Sequence, residues 1–262
     1  MSRAGRLTSG GVTDLWYDET GSGTPVLLLH EGIVDSRIWD PVVPLLRDRH
    51  RVLRYDQRGF GRSPARTGPY SVVDDMVSVL DAGGVEQASL VGSSRGGNIA
   101  LTAALDRPER VSALVLVGSG LPGRPLHVDW TPEQIARWDE AEAAGDFAAM
   151  AELDMEVWAP MGADARLRAM FVENAVGSNS DEETTDAPVA GRLGEIAAPT
   201  LVVTGGRDVA GINEIGEILA REIPDAQHAV VEDADHMIQW RAPEELAHLI
   251  LRFLSESGSS RP

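Results

Sequence analysis

Short apolar runs alternate with segments of helical spacing along most of the chain. The run at 111–117 is almost uninterrupted, as is typical of a strand buried on both faces of a parallel sheet. Between such runs, apolar residues recur every three or four positions, which is the pattern of a helix with one buried face. The alternation predicts an α/β fold built from right-handed βαβ units. The predicted strands are 13–17, 26–30, 52–55, 88–91, 111–117, 200–204 and 229–231.

Capping and breaking residues mark the ends of several predicted helices. Ser71 precedes one helix and, with Asp74 three positions later, resembles a capping box, while Gly83 ends that helix. Pro243 opens the last helix of the chain. Two further helices are predicted near 39–47 and from 98 to about 106.

The alternation stops after residue 120, where helical segments follow one another without a strand. We interpret residues 121–194 as a helical cap inserted into a core domain formed by 1–120 and 195–262. Residues 181–188 are predicted to form an acidic loop, and the polar end at 255–262 is predicted to fray. The helices predicted within the cap are 132–144, 147–158 and 163–176.

Most tryptophan and methionine side chains of this segment are expected to pack the cap against the core. Trp158 and Met161 are the exceptions, because they flank a break in the helical pattern at Pro160. We therefore predict that Trp158 and Met161 line an apolar pocket for a small molecule.

A Gly-x-Ser-x-Gly segment lies between a predicted strand and a predicted helix. Ser94 is its centre, because Gly92 and Gly96 stand two positions away on either side. This is the sequence form of a nucleophile elbow, a tight turn that exposes a hydroxyl group at a helix N-terminus. Backbone N–H groups at that position favour developing negative charge. The alternative is that Ser94 is simply a small residue in a tight turn.

A nucleophilic serine needs a base, and the base needs a carboxylate that orients it. Asp208 follows the predicted strand 200–204, and His236 follows the strand 229–231. Both side chains are therefore predicted at the carboxyl edge of the parallel sheet, together with Ser94.

Other residues compete for these two roles. His228 and His248 fall within a predicted strand and a predicted helix, so neither has the placement in a loop that a general base needs. Asp233 and Asp235 are so close to His236 in the sequence that we expect them to shape its loop, which favours Asp208 as the acid.

Five segments in this order resemble the α/β-hydrolase superfamily, and the resemblance extends almost from end to end. The segments are 26–30, 56–63, 92–97, 205–208 and 235–236. The resemblance implies a mostly parallel central sheet flanked by helices, and a triad of Ser94, His236 and Asp208 that needs no cofactor and no metal. It also implies that the backbone N–H groups of Gly32 and Arg95 form an oxyanion hole.

Glu31 departs from the family pattern, which usually has glycine at this position of the oxyanion loop. A carboxylate aimed at the oxyanion would raise the barrier, so Glu31 must point away from it or be paired. An ion pair with Arg95 beside the site is one hypothesis, and a surface salt bridge without a catalytic role is another. In a third hypothesis, Glu31 contacts a polar or cationic group of the substrate.

Composition limits the classes of partner. The formal net charge is −18, and all 23 basic residues are arginine. The acidic excess argues against nucleic-acid binding and indicates a solvated surface, and the arginine usage suggests a bacterial source. The chain has no cysteine, no metal-ligand spacing and no dinucleotide-binding loop. Without a signal-like or membrane-length apolar run, we expect a cytoplasmic protein with a small-molecule substrate and no membrane partner.

These observations predict a serine hydrolase that cleaves a carboxylic ester or lactone through an acyl-enzyme intermediate. A serine nucleophile disfavours the relatives that use an aspartate to form an alkyl-enzyme ester. Two enzymatic alternatives keep the same triad, namely a carbon–carbon bond hydrolase and a cofactor-free perhydrolase or haloperoxidase. A non-catalytic small-molecule receptor is the alternative from another class, because fold alone does not determine function.

Overall fold

One eight-stranded sheet forms the centre of the protein. The computed structural model describes residues 3–6, 15–179 and 184–259. Its strands are β1 (Arg3–Arg6), β2 (Trp16–Gly21), β3 (Thr24–Leu29), β4 (His50–Tyr55), β5 (Ala88–Ser93), β6 (Val111–Val117), β7 (Thr200–Gly205) and β8 (Gln227–Val231). They lie in the order β1-β2-β4-β3-β5-β6-β7-β8. The β1–β2 and β2–β4 pairs are antiparallel and the other pairs are parallel, which confirms the predicted α/β fold.

Helices cover both faces of this sheet. They are α1 (Val43–Leu46), α2 (Val72–Ala82), α3 (Arg95–Asp106), α4 (Pro132–Ala144), α5 (Phe147–Trp158), α6 (Ala165–Ser178), α7 (Ala210–Glu222), α8 (Ile238–Arg241) and α9 (Pro243–Ser259). In β3, Leu27 and Leu29 join a buried apolar cluster with α2, α3 and α7. Val26 and Leu28 join a second cluster with α5, α6 and α9. This alternation follows from the two-residue period of a strand and leaves the loops at the carboxyl edge on a rigid base.

Helices α4, α5 and α6 follow one another between β6 and β7, as the sequence predicts. Helices α5 and α6 share the second apolar cluster with the sheet through Met155, Leu167 and Phe171. Helix α4 buries only Ala141. The division of the chain into a core and a separate cap at 121–194 stays a prediction.

The single helix predicted near 39–47 is wrong. The chain forms a 3-10 turn at Ser36–Trp39 and then the one-turn helix α1. Pro41 and Pro44 have no N–H group to donate, which prevents a continuous helix through this segment.

The last helix extends into the segment that is predicted to fray. Helix α9 continues to Ser259, because Phe253 and Leu254 are buried and Ser257 Oγ donates to the Phe253 carbonyl at 2.9 Å. The last predicted positions, 260–262, lie outside the described residues.

Two other predicted segments lie partly outside the described residues. The predicted strand at 13–17 corresponds to β2, which begins at Trp16, and residues 13 and 14 are not described. The same holds for 181–183 in the predicted loop, whose described part has neither helix nor sheet strand. None of the helices described is long and apolar enough to span a bilayer.

Candidate active site

Ser94 lies at the point where β5 turns into α3. Its backbone has φ +51° and ψ −114°, a region that residues other than glycine rarely occupy. Small neighbours make this turn possible, because a Cβ atom on Gly92 would lie 2.3 Å from the Gly96 carbonyl oxygen. A Cβ atom on Gly96 would lie 2.2 Å from the Leu29 carbonyl oxygen. The segment therefore has the strained backbone and close approach of a nucleophile elbow.

The Ser94 hydroxyl group is not used to cap the helix that it precedes. Its backbone N–H donates to the Val117 carbonyl at 2.9 Å, which ties the turn to β6. Ser94 instead lines a cavity at the carboxyl edge of the sheet. The side chain is placed where a substrate could reach it.

His236 and Asp208 meet at the same edge of the sheet, after β8 and β7. The Nδ1–H group of His236 donates to Asp208 Oδ2 at 2.8 Å, and both side chains are almost completely buried. Gly118, at the end of β6, allows this approach, because a Cβ atom there would lie 3.3 Å from both bonded atoms. This hydrogen bond leaves Nε2 of His236 as the proton acceptor.

Two opposing effects set the pKa of His236. Burial disfavours the imidazolium, but the charge and hydrogen bond of Asp208 and the charges of Glu31 and Asp235 favour it. The net effect raises the pKa of His236 above its usual value. Carboxylates thus surround a group that must carry positive charge during proton transfer.

The competing acids have other partners. Asp233 is exposed and pairs with Arg207. Asp235 is buried, binds Arg241 at 2.8 Å and accepts the N–H groups of Met161 and Met237, both at 3.1 Å. Both acids shape the loop around His236, as the sequence predicts.

The competing histidines also lie elsewhere. His228 Nε2 contacts Thr204 Oγ1 on the neighbouring strand β7 at 3.0 Å. His248 is exposed on α9. Neither side chain lines the cavity that contains Ser94.

The loop after β3 is held by a buried histidine. His30 Nε2 accepts the Gln57 backbone N–H at 2.9 Å, so its Nδ1–H donates to the Glu31 carbonyl at 2.6 Å. Burial lowers the pKa of His30, in agreement with this neutral state. Because the C=O and N–H of a trans peptide point in opposite directions, the Gly32 N–H is directed away from His30.

A cavity of about 390 Å³ joins these elements. It contains Ser94, His236 and both predicted oxyanion donors, Gly32 and Arg95. Its remaining lining residues are Ile33, Asn98, Gly120, Leu121, Pro122, Gly123, Arg124, Leu126, Trp158, Ser178 and Ile212. A second space of about 350 Å³ lies beside it, and the two share the lining residues Arg95, Asn98, Pro122 and Gly123.

Trp158 and Met161 have different positions, although the sequence predicts the same role for both. Trp158 lines the cavity, and its ring centroid lies 4.8 Å from that of His236. Met161 is exposed and absent from the lining, and only its backbone N–H reaches Asp235. The prediction for Met161 is wrong, because the turn after Pro160 points its side chain to solvent.

All three hypotheses for Glu31, namely the ion pair with Arg95, the surface salt bridge and the substrate contact, are wrong. Glu31 is fully buried, and its carboxyl group binds Ser93 and Gln239. Arg95 instead donates to Gln57 Oε1 at 2.6 Å and to the Tyr70 hydroxyl at 2.9 Å. Glu31 is absent from the cavity lining, which explains how a carboxyl group is tolerated in the oxyanion loop.

Three side chains that support the site are absent from the sequence prediction. Gln57 contacts His30 and Arg95, and Gln239 and Ser93 bind Glu31. Only tertiary packing brings them together. Asn98 is different, because its position four residues after Ser94 on α3 predicts that it shares the face of the cavity.

Comparison with known proteins identifies the family. The sequence profile of the α/β-hydrolase fold matches residues 25–160. The chain belongs to this α/β-hydrolase family. Within the described residues, no group of three or more His, Asp or Glu side chains has the geometry of a metal site.

Similar α/β hydrolases differ in the chemistry that their names state. "Putative carbamate hydrolase RutD" of Azorhizobium caulinodans is 30% identical, with 94% of this chain and 97% of the relative aligned. A 2-hydroxy-6-oxononadienedioate/2-hydroxy-6-oxononatrienedioate hydrolase of Cupriavidus pinatubonensis is also 30% identical, over 90% of this chain and 89% of the relative. The enol-lactonase structure from Burkholderia xenovorans LB400 superposes with a TM-score of 0.77 at 26% identity, covering 93% and 97% of the two chains.

Proposed function

We propose that this protein is a serine hydrolase that cleaves a small carboxylic ester or lactone, with Ser94 as nucleophile, His236 as base and Asp208 as the orienting acid. One observation carries the proposal. The imidazole of His236, which donates to Asp208 at 2.8 Å, lines the same cavity as Ser94. The Ser94 backbone is strained, and its hydroxyl group makes no capping hydrogen bond to α3. The enol-lactonase likeness supports the choice of substrate class. A cytoplasmic, bacterial enzyme remains the accompanying prediction.

Proton transfer in this proposal follows from the tautomer of His236. Nε2 takes the Ser94 hydroxyl proton as Oγ attacks the carbonyl carbon, and the imidazolium then donates that proton to the leaving alcohol oxygen. In the second step, a water molecule adds to the acyl carbon and gives a proton to Nε2. The imidazolium then returns a proton to Ser94 Oγ as the acyl–oxygen bond breaks and the acid is released. Asp208 stays ionised and stabilises the imidazolium in both steps.

The oxyanion of each tetrahedral intermediate is assigned to two backbone donors. The Arg95 N–H lies at the N-terminus of α3, where the helix dipole favours negative charge. The Gly32 N–H is supported by the orientation of the preceding peptide, whose carbonyl is held by His30. Donors of this kind each contribute about 3 kcal/mol to transition-state stabilisation.

Covalent labelling tests the nucleophile directly. A fluorophosphonate probe is expected to add one adduct to the wild-type protein, at Ser94, as shown by intact-mass and peptide mass spectrometry. Ser94→Ala is expected to take up no probe and to lower hydrolysis by about 10⁶-fold. Ser89→Ala is the matched control, because Ser89 lies on the same strand but contacts Ser112 outside the cavity lining, and it should still be labelled. An unlabelled wild-type protein would favour the receptor alternative.

The pH dependence tests the base. Because the surrounding carboxylates raise the pKa of His236, its neutral form appears only above the usual midpoint. The rate of labelling is therefore expected to rise with pH, with a midpoint above about 6.5. A midpoint well below that value would contradict the assignment of His236.

A carbon–carbon bond hydrolase is the second candidate, favoured by the Cupriavidus pinatubonensis relative. The name of its substrate describes a ketone with two carboxylates and no ester, so hydrolysis must break a carbon–carbon bond. Product analysis with an aryl ester, a lactone, a carbamate and a vinylogous 1,5-diketone separates the candidates. Release of a carboxylic acid from the ester and the lactone alone supports the proposal.

A further inference from the structure

Glu31 connects the segments that carry the proposed catalytic groups. It belongs to the oxyanion loop, and its Oε1 accepts hydrogen bonds from Ser93 Oγ at 2.9 Å and from Gln239 Nε2. Ser93 directly precedes Ser94, and Gln239 lies on α8, three residues after His236. One buried side chain therefore contacts both the elbow and the histidine segment.

Two buried oxygen atoms around this carboxyl group have no hydrogen-bond donor. Oε1 of Glu31 accepts two hydrogen bonds, whereas the equally buried Oε2 has no partner, and Gln239 Oε1 is also buried without a partner. A carboxylate only accepts, so an ionised Glu31 would leave its own Oε2 and Gln239 Oε1 buried without a donor. A carboxylic acid has one accepting oxygen and one donating hydroxyl, and this matches the unequal pairing of Oε1 and Oε2.

We infer that Glu31 is a neutral carboxylic acid in the folded protein and a positioning residue for the site. Its Oε2 hydroxyl donates to Gln239 Oε1, and Gln239 Nε2 donates back to Glu31 Oε1. This reciprocal acid–amide pair clamps the oxyanion loop to the histidine segment. Its role in positioning rests on the proposed function, whereas the protonation of Glu31 does not.

The burial of Glu31 agrees with a neutral acid. Full burial raises the pKa of Glu31. A hydrogen bond from its own backbone N–H, the nearby His236 and the hydrogen bonds from Gln239 and Ser93 only partly oppose this effect. The neighbouring cation Arg95 is directed to Gln57 and Tyr70 rather than to Glu31.

The negative charges already present near the site explain why a neutral Glu31 is favourable for catalysis. His236 faces Asp208 and Asp235 as well as Glu31, and with Glu31 neutral the first two supply the negative charge that raises the pKa of His236. An ionised Glu31 would put a further negative charge next to Gly32, whose N–H group must stabilise an oxyanion. A neutral acid keeps the clamp without that repulsion.

Trp39 offers the competing explanation for the unpaired amide oxygen. Its buried indole N–H also has no partner, and its 3-10 turn packs against α8. A bond from Trp39 to Gln239 Oε1 would leave Glu31 Oε2 as the orphaned atom. Trp39→Phe removes this donor and is expected to leave the protonation of Glu31 unchanged.

Infrared difference spectroscopy measures the protonation without any turnover. The wild-type minus Glu31→Gln spectrum at pH 7 is expected to contain the carbonyl stretch of one protonated carboxyl group, shifted in D₂O. Glu245→Gln, which changes an exposed carboxyl on α9, is the matched control and should give only carboxylate bands. Absence of the protonated band from the Glu31 difference spectrum overturns the inference.

Stability against pH is a second measurement. Below about pH 4.3, the ordinary pKa of glutamate, Glu31 is protonated in both the folded and the unfolded chain. Above that pH the unfolded chain ionises while the folded protein keeps the proton, so wild-type stability falls relative to Glu31→Gln until the folded pKa is passed. The gap is defined as the Tm of Glu31→Gln minus the Tm of wild type. A gap that increases as pH rises supports a neutral Glu31. A gap that narrows contradicts it.

Exchanging the two partners tests the clamp. Gln239→Leu removes the amide and is expected to slow fluorophosphonate labelling of Ser94 by about tenfold or more. The double variant Glu31→Gln with Gln239→Glu restores an acid–amide pair in reverse order, and it should recover most of the loss. If the double variant labels no faster than Gln239→Leu, the positioning role is wrong. If wild type is not labelled but the infrared band is present, the proposed function fails and the neutral Glu31 stands.

Discussion

The sheet side of the protein, formed by the sheet and the loops after its strands, and the helical side, formed by α4, α5 and α6, are held in place by different contacts. On the sheet side, loops that follow the strands are fixed by buried polar pairs, of which Asp208–His236 and Arg58–Asp75 are examples. On the helical side, α4 has an exposed surface and an exposed ion pair between Arg137 and Glu156. We therefore expect the burial of a polar contact, rather than its length, to determine how much its removal lowers the free energy of unfolding.

The helical side is itself uneven. Helix α6 has a buried anchor, because Asn174 Oδ1 accepts the Gly61 N–H at 2.8 Å and Nδ2 donates to Asp35 Oδ2 at 3.0 Å. Helix α4 has one buried residue, Ala141. We therefore expect α6 to behave as part of the sheet side and α4 to be the element that can be changed most freely.

The largest effect is expected at Asp208. Asp208→Asn removes the acceptor for His236 Nδ1–H and favours the wrong tautomer, so hydrolysis should fall by about 10⁴-fold while the protein stays folded. Asp233→Asn is the matched control, because it changes an exposed aspartate of a neighbouring loop. Steady-state kinetics and circular dichroism measure the two properties. Comparable losses in both variants would contradict the assignment of Asp208.

The next largest effect is expected at Arg58. Arg58 Nε and Nη2 donate to the two carboxylate oxygens of Asp75 at 3.0 and 2.6 Å. Arg58→Ala leaves a buried carboxyl group without its partner, and we expect it to lower the free energy of unfolding by about 3–5 kcal/mol. Urea denaturation at pH 7 measures the loss. Arg58→Ala with Asp75→Leu should recover part of it, since no buried charge remains.

Removing the anchor of α6 should have an intermediate effect. Although burial opposes its charge, hydrogen bonds from Arg37 and Asn174 lower the pKa of Asp35 to about 2. Asn174→Ala leaves Asp35 and the Gly61 N–H with one partner fewer, and each lost bond costs about 1–3 kcal/mol. Asn179→Ala is the control, because Asn179 Nδ2 donates to the Ala175 carbonyl in the last turn of α6 and does not tie that helix to the sheet side. Thermal melts should separate the two variants by several degrees.

The sequence predicts the parts of the molecule that local chemistry determines. Helices α4 and α5 have the predicted bounds, because Pro132 begins one, Gly145 ends it and Asp146 caps the next. The elbow is also local, since three residues set its geometry. The resemblance to α/β hydrolases then supplies the order of the catalytic segments.

The failures have a common physical cause. Met161 lies three residues from Trp158 and Glu31 lies next to Gly32, but the direction of a side chain depends on tertiary packing. Gln239 and Gln57 reach the site from distant segments, and no spacing in the sequence predicts that contact. Sequence patterns therefore predict which loops meet, while the supporting hydrogen bonds need coordinates.

A smaller, pH-dependent effect is expected at Asp154 on α5. Burial raises the pKa of Asp154 to about 7, although a hydrogen bond from Trp158 opposes this shift. A raised folded pKa means that stability is present at low pH and is lost as pH rises through about 7. Asp154→Asn should therefore melt at a higher temperature than wild type at pH 8, with a smaller difference at pH 5. Asp139→Asn, an exposed aspartate on α4, should show no such trend.

The smallest effect is expected at Arg137, which, like Arg58, donates two hydrogen bonds to one carboxylate but does so at the surface. Arg137 Nη1 and Nη2 donate to the two oxygens of Glu156 at 3.0 and 2.8 Å. The side chains of this pair are 44% and 42% exposed, against 9% and 9% for Arg58 and Asp75. Water replaces the lost partner at the exposed pair, so Arg137→Ala should leave the urea midpoint unchanged within error. Equal losses of unfolding free energy in Arg137→Ala and Arg58→Ala would show that burial does not determine the contribution of these two ion pairs.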